Sequence, residues 1–238
     1  MKSMLKSVIM KSLRRIVVSI ENSFGVRISR YPLEKFYAEF IELANLDIIS
    51  QSRGILHIGA HVGLESKAYS QKKKPTIFVE ADPKTFLVLA ENIAPYSDQQ
   101  AFNWLLGNEE KMVDFHIANN QSESSSVFPF SKKNKIRNLS ASEVTPMPMS
   151  RLDSKFEVQD LEHYDHWVID VQGAELMVLE GAGQLLSVCK TIFIECSLTE
   201  FYEGGAMWNQ ILEFLNRNGF KYFVLPPNIS HLNVIFFK

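Results

Sequence analysis

The chain has 238 residues, is 46% hydrophobic and 22% charged, and carries a formal charge of −2, values of a soluble globular protein with one sizeable core. Residues 1–30 hold seven basic side chains (Lys2, Lys6, Lys11, Arg14, Arg15, Arg27 and Arg30) against Glu21 alone, which leaves the remainder at −8. So acidic a body argues against a nucleic-acid surface, because phosphate binding needs a basic stripe on the folded domain.

The opening segment, MKSMLKSVIMKSLRRIVVSIENSF, mixes apolar residues with Lys and Arg at helical spacing. Its longest apolar run, IVV, is too short for a signal-peptide core or a membrane span. Residues 1–50 therefore read as a basic amphipathic extension. It either packs on the domain or on a partner chain, as in a homo-oligomer, or rests on an anionic membrane surface. The domain proper is expected over residues 51–238, in the cytoplasm or against the inner face of a membrane. Its two cysteines, Cys189 and Cys196, have no CxxC spacing and are expected to be buried free thiols.

From residue 53 short apolar runs alternate with helical patterns. ILHI (Ile55–Ile58) is the first predicted strand, followed by a helix in LESKAYSQ after Gly63. TIFVE (Thr76–Glu80) is the second, and Asp82 then stands as an N-cap before Pro83 and the helical run KTFLVLAENI. QAFNWLL (Gln100–Leu106) is read as the third strand. Residues 118–150, rich in Ser and Asn, fit no element and are expected to form an irregular, substrate-facing lid. HWVID (His166–Asp170), a helix from Ala174, TIFIE (Thr191–Glu195) and a helix in MWNQILEFLNRNG follow. FKYFVL and NVIFFK are separated only by PPNISHL, too short for a helical crossover, so they must pair antiparallel. The pattern predicts an α/β fold, a mostly parallel seven-stranded sheet ending in an antiparallel hairpin, with helices on both faces. That is the architecture of Rossmann-like methyltransferases rather than of dinucleotide dehydrogenases.

Ligands of open parallel sheets sit beyond the carboxyl ends of the strands. The first strand delivers Gly59, Ala60, His61 and Gly63 there, with Glu65 opening the next helix. Glycines let a backbone approach a ligand, and free N–H groups welcome a carboxylate. GxxxG lacks the extra glycine that GxGxxG uses for a pyrophosphate. His57 on the strand is read as a buried polar contact rather than a metal ligand, and is kept with His61 and Glu65 among the candidate cofactor-facing positions. Glu80 ends the second strand 21 residues after Gly59, where a carboxylate can accept both ribose hydroxyls. A nucleoside ligand without a pyrophosphate points to S-adenosylmethionine. The fourth strand ends in IDVQGAEL, which clusters Asp170, Gln172 and Glu175; Glu195 ends the fifth. An alcohol needs a base to lose its proton as it attacks a sulfonium carbon, and Asp170 is the candidate. No spacing matches a zinc site, a Ser-His-Asp order or a phosphate loop.

LHIGAHVGLES, IFVEADP, NWLLGNEE, FHIANNQSESSSVF, RLDS, VIDVQGAELMVLEGA and IECSLTEFYEGG stand in order and together resemble the FkbM-type S-adenosylmethionine-dependent methyltransferases over about residues 53–220. The resemblance implies a Rossmann-like class I methyltransferase fold and O-methylation of a hydroxyl on a sugar, glycan or glycolipid-type acceptor. It implies cofactor contacts from Gly59, Ala60, Gly63, Glu80, Ala81 and Asp82, with Trp104 and Leu105 flanking the adenine and the Ser124–Ser126 run, Ser125 included, nearby. Asp170, Gln172 and Glu175 would fall at the reaction centre. The commonest family form has Asp at position 57 and Lys-Ile-Asp-Val-Glu-Gly in the fourth-strand motif. Here His57, Val168 and Gln172 stand instead, matching a branch with HIGAH and DVQGAEL, and leave Asp170 as the main base. A nucleic-acid base methyltransferase would show Asn/Asp-Pro-Pro-aromatic where this chain has DVQG. The rival reading is a catalytically weak binding module that works through its basic N-terminal helix.

Overall fold

In the computed structural model, which describes residues 33–133, 138–223 and 231–238, the strands are Ile55–Ile58 (β1), Thr76–Glu80 (β2), Gln99–Asn103 (β3), Leu105–Gly107 (β4), Lys111–Ala118 (β5), Ala141–Arg151 (β6), His166–Ile169 (β7), Thr191–Ser197 (β8), Lys221–Phe223 (β9) and His231–Phe237 (β10). The helices are Leu33–Gln51 (α1), Ser66–Gln71 (α2), Pro83–Ile93 (α3), Glu175–Gly181 (α4) and Trp208–Arg217 (α5). The main sheet has seven strands in the order β3-β2-β1-β7-β8-β10-β9. Its first five run parallel, β10 pairs antiparallel with β8, and β9 pairs antiparallel with β10. This is the expected Rossmann-like methyltransferase sheet with its terminal hairpin.

Strand parity sorts the core into two layers. Leu56 and Ile58 of β1, Ile77 and Val79 of β2, and Trp167 and Ile169 of β7 face a layer completed by Val178 and Leu179 of α4 and Ile211 and Leu215 of α5. Ile55, Phe78 and Val168 face the other way, against Tyr69 of α2 and Leu89 and Ile93 of α3. Full burial of each such side chain contributes about 1.5–3 kcal/mol. At the start of α3, Asp82 accepts the Lys84 N–H at 3.1 Å and the Thr85 hydroxyl at 2.7 Å, with Pro83 at the first helical position. The cap read from the sequence is thus in place.

Two expectations change. The third strand does not run through Gln100–Leu106: β3 ends at Asn103, and Leu105 begins β4 in a second sheet of order β4-β6-β5. Nor is 118–150 irregular throughout. Ala141–Arg151 is an 11-residue strand paired with β5 from Lys111↔Met149 to Ala118↔Ala141. Pro146 and Pro148 share a parity, so both missing N–H groups fall on one edge of β6, and β4 pairs only from Met149 onward. Residues 119–124 remain turns and Ser126 bridges His116, so the 119–126 segment is held over the main sheet's carboxyl edge.

The boundary expected between residues 50 and 51 falls inside α1, whose Ala44, Ile48 and Ile49 are buried in the core. The basic segment of residues 1–30, with its expected membrane or partner contact, lies outside the described residues. Among the described residues, no helix is long and apolar enough to cross a membrane. Cys189 and Cys196 are buried free thiols.

Candidate active site

Where β1 ends, the chain turns so tightly that β1 and β7 nearly touch. Gly59 has φ +80°, and a Cβ there would lie 1.7 Å from the Asp170 carbonyl oxygen. The Gly59 and Ala60 N–H groups are both spent on the Val79 carbonyl, at 2.9 and 3.1 Å. His61 follows at φ 49°, and its Nε2 lies 2.9 Å from the Gln121 carbonyl, tying the 119–126 segment to this corner. Of the loop residues expected at a ligand, Gly59 and His61 line the cleft. The others point elsewhere. Gly63 sits against Leu89, where a Cβ would come within 2.5 Å of Cδ1, and Ala60 is buried with Leu89 and Tyr69. His57 belongs to the second core layer, with Nδ1 3.4 Å from the Tyr69 hydroxyl and its ring 5.7 Å from Phe78, and burial lowers its pKa. Glu65 is exposed beside α2.

Glu80 closes the corner from β2. Its Oε2 accepts the His61 N–H at 2.8 Å and its Oε1 the Asp82 N–H at 2.9 Å. Burial raises its pKa, opposed by those two N–H groups and by the His61 side chain. A carboxylate oxygen has two lone pairs, so each oxygen keeps one for a further donor. Two acceptors held side by side match the paired hydroxyls of a ribose. Ala81 lines the cleft beside it, whereas Asp82 is consumed as the α3 cap. Burial raises the Asp82 pKa, but hydrogen bonds from Thr85, Ser122 and Lys84 outweigh it and hold the carboxyl below its usual range.

Trp104 and Leu105 stand at the crossing between the sheets. Trp104 stacks on Phe102 at 4.2 Å, meets Phe156 edge-on and carries Lys155 Nζ 5.6 Å above its ring. With Leu105, Leu106, Phe115 and Val127 it forms an apolar wall opposite Glu80, and Ser125 lines the same hollow while accepting the Ala118 N–H at 3.0 Å. No Lys or Arg is among the described residues lining this hollow. A hollow with an apolar wall, the carboxylates of Glu80, Glu123 and Asp170 and no lining Lys or Arg among the described residues suits an adenosyl group better than a pyrophosphate.

A second, more polar hollow opens from the first over the ends of β7 and β8. Gly59, His61, Glu123, Asp170 and Gln172 line both, and Ser124, Leu139, Glu195, Ser197, Phe201 and Tyr202 complete the second. Gln172 Nε2 donates to Asp170 Oδ1 at 2.6 Å and reaches Glu195 Oε2 at 3.4 Å, while the Tyr202 hydroxyl donates to Gln172 Oε1 at 2.7 Å. Burial raises the Glu195 pKa, and Gln172 pulls it back. Asp170, Gln172 and Glu195 are thus brought together. Glu175 is not with them: it is buried under the turn, where Oε1 accepts the Val171 and Gly173 N–H groups at 3.2 and 3.0 Å, and burial pushes its pKa up to about 8.

His61, Ser122 and Gln172, all lining the cleft, have φ values of 49°, 69° and 55°. Left-handed conformations cost residues with a Cβ about 1–3 kcal/mol each and persist where surrounding contacts over-determine them. Reading the sequence for strand ends missed Ser122, Glu123, Phe201 and Tyr202. The Ser/Asn-rich composition and the EFYEGG segment marked their neighbourhoods, but their positions depend on contacts across 30 or more residues.

A mostly parallel seven-stranded sheet ending in an antiparallel hairpin, with Glu80 beside an apolar wall at its carboxyl edge, defines a class I S-adenosylmethionine-dependent methyltransferase. Residues 57–222 match the family described as the methyltransferase FkbM domain, and the chain belongs to that family. It is 28% identical over 170 residues to 2-O-methyltransferase NoeI of Sinorhizobium fredii, a stretch covering 68% of this chain and 70% of that protein. Among solved structures, a TehB-like S-adenosylmethionine-dependent methyltransferase from Corynebacterium glutamicum superposes with a TM-score of 0.46 at 10% identity, over 94% of this chain and 98% of that one. Magnesium protoporphyrin IX methyltransferase from Synechocystis, with its cofactor bound, gives 0.42 at 12% identity, over 94% and 96%.

Proposed function

We propose that the protein O-methylates a hydroxyl of a sugar, glycan or glycolipid-type acceptor. One observation carries the reading. The apolar, Glu80-bearing hollow and the polar hollow meet at Gly59, His61, Asp170 and Gln172, so a group in each would face the other across that junction. The similarity to a 2-O-methyltransferase supports oxygen as the acceptor atom.

S-adenosylmethionine, when bound, supplies an electrophilic methyl group on its sulfonium. Glu80 would hold the ribose hydroxyls, and Trp104 with Leu105 and Val127 would flank the adenine. Asp170 stands at the junction and would take the proton of the attacking hydroxyl, whose own pKa lies far above 7, while the methyl's C–S bond breaks to a neutral thioether as its C–O bond forms. Glu195 accepts a neighbouring hydroxyl and so fixes the ring's orientation. The Phe201 and Tyr202 side chains offer apolar surface to the carbon-bound hydrogens of a sugar. The rest of the rate comes from holding oxygen and methyl in line.

Incubation with methyl-labelled cofactor and a panel of glycosides and glycolipids tests the reading. A base-stable methyl ether on a ring hydroxyl is expected. A base-labile ester, an N-methyl product, or no transfer across the panel by cofactor-loaded protein would contradict it.

A further inference from the structure

The amide of Gln172 is braced on every side. Its backbone sits at φ 55°, its neighbours' N–H groups are held by Glu175, and its carbonyl accepts the Ser126 hydroxyl at 2.7 Å. Its side chain bridges Asp170 and Glu195 through one end and Tyr202 through the other. The two ends of a primary amide have nearly the same shape, so shape alone does not decide which faces the acids. Chemistry does. Ionised carboxylates only accept, and a flipped amide would set its oxygen against two of them.

Tyr202 supplies the other half of the decision. Burial pushes its phenol up, so it stays an O–H donor at neutral pH. Its hydroxyl donates to Gln172 Oε1 at 2.7 Å and to the Ser124 carbonyl at 3.0 Å. The ring itself is fixed. It lies over Gly173, where an added Cβ would come within 3.1 Å of Cδ2, its Cβ lies against Gly205, and it packs on Phe130 at 5.6 Å.

We propose that Tyr202 is a positioning residue of the methyl-transfer site: its hydroxyl fixes the Gln172 amide with the donor end toward Asp170 and Glu195. This rests on reading those two carboxylates as the acceptor side of the site. The amide hydrogens then stand toward both carboxylates, and hydrogen bonds of that kind favour a carboxylate's charged form, as Gln172 does at Glu195. With the amide free to turn, its oxygen would face the carboxylates and disfavour their charged forms. The titratable groups at this hollow are Asp170 at the end of β7, Glu175 on α4, Tyr202 itself, Cys196 beside Glu195 on β8, and His61 and Glu123, which line it from the β1 corner and the 119–126 segment.

The test is a carboxyl-carbon NMR titration of Glu195 in the full chain, its signal assigned by loss in Glu195→Gln. It compares wild type, Tyr202→Phe, Gln172→Met and the double variant. Phe keeps the ring packing and removes only the hydroxyl. Each single variant is expected to raise the Glu195 midpoint by about half a pH unit or more, and the double variant to match Gln172→Met alone. A midpoint that stays or falls in Tyr202→Phe overturns the proposal, as does a Tyr202→Phe shift that survives intact in the Gln172→Met background. The titration needs no acceptor. Failure of the methyl-transfer reading would instead appear as no transfer to any acceptor of the panel by cofactor-loaded wild type.

Discussion

Gln172 donates its side-chain amide to Asp170 at 2.6 Å, across the point where the two hollows join. The bond orients a carboxylate at the end of β7. Asp170→Asn keeps the shape and removes the proton acceptor. Turnover is expected to fall roughly 10²–10⁴-fold, with cofactor affinity held within a few-fold. Single-turnover rates alongside equilibrium binding separate the two, and wild-type turnover would remove Asp170 as the base.

Gly59 tests the closeness of β1 and β7. An Ala there places a methyl group 1.7 Å from the Asp170 carbonyl oxygen, in a backbone region that disfavours side chains. Gly59→Ala should lose about 2–4 kcal/mol of stability on denaturant unfolding, through strain and forced strand separation. A loss under about 0.5 kcal/mol would mean that the turn relaxes freely.

The tether from His61 to Gln121 is a single hydrogen bond of 2.9 Å. His61→Gly removes the ring and also relieves the φ of 49°, so the fold should not suffer. Loss of one hydrogen bond should weaken cofactor binding about 2- to 10-fold by loosening the 119–126 segment. Unchanged affinity in calorimetry would show that the segment holds its place without it.

Glu175 should make stability depend on pH. Burial raises its pKa in the folded state from 4.5 to about 8. Between those values the native state binds more protons than the unfolded one, so stability falls as pH rises through the window and levels off above it. Glu175→Gln keeps an acceptor for the Val171 and Gly173 N–H groups and removes the titration. From pH 5 to pH 8.5 the wild type should therefore lose about 1 kcal/mol or more relative to the variant. Parallel Tm profiles would contradict it.

Legibility followed local chemistry. β1, β2 and β7 are runs of four or five residues buried on both faces, so their apolar character shows without any knowledge of partners. Asp82–Pro83 announces α3 because a cap is a contact between near neighbours. β6 is different. Most of its outer half is exposed and it carries two prolines, so no apolar period marks it and only pairing with β5 makes it a strand. The site divides the same way. Glu80, Asp170 and Glu195 were readable from strand ends, where side chains project into the crevice. His57 falls in the other layer by strand parity, and Glu175 lies beneath its turn rather than in the cleft. Tyr202 reaches Gln172 across 30 residues, a contact that no local pattern encodes.

Binding of S-adenosylmethionine by calorimetry, in wild type and in Glu80→Gln, tests the central claim most directly. Gln offers one acceptor oxygen where Glu offers two and carries no charge. Loss of charge-assisted bonds to the ribose should weaken binding about 10- to 100-fold with the fold intact. Equal affinity in the two proteins would mean that the cofactor does not lie against Glu80.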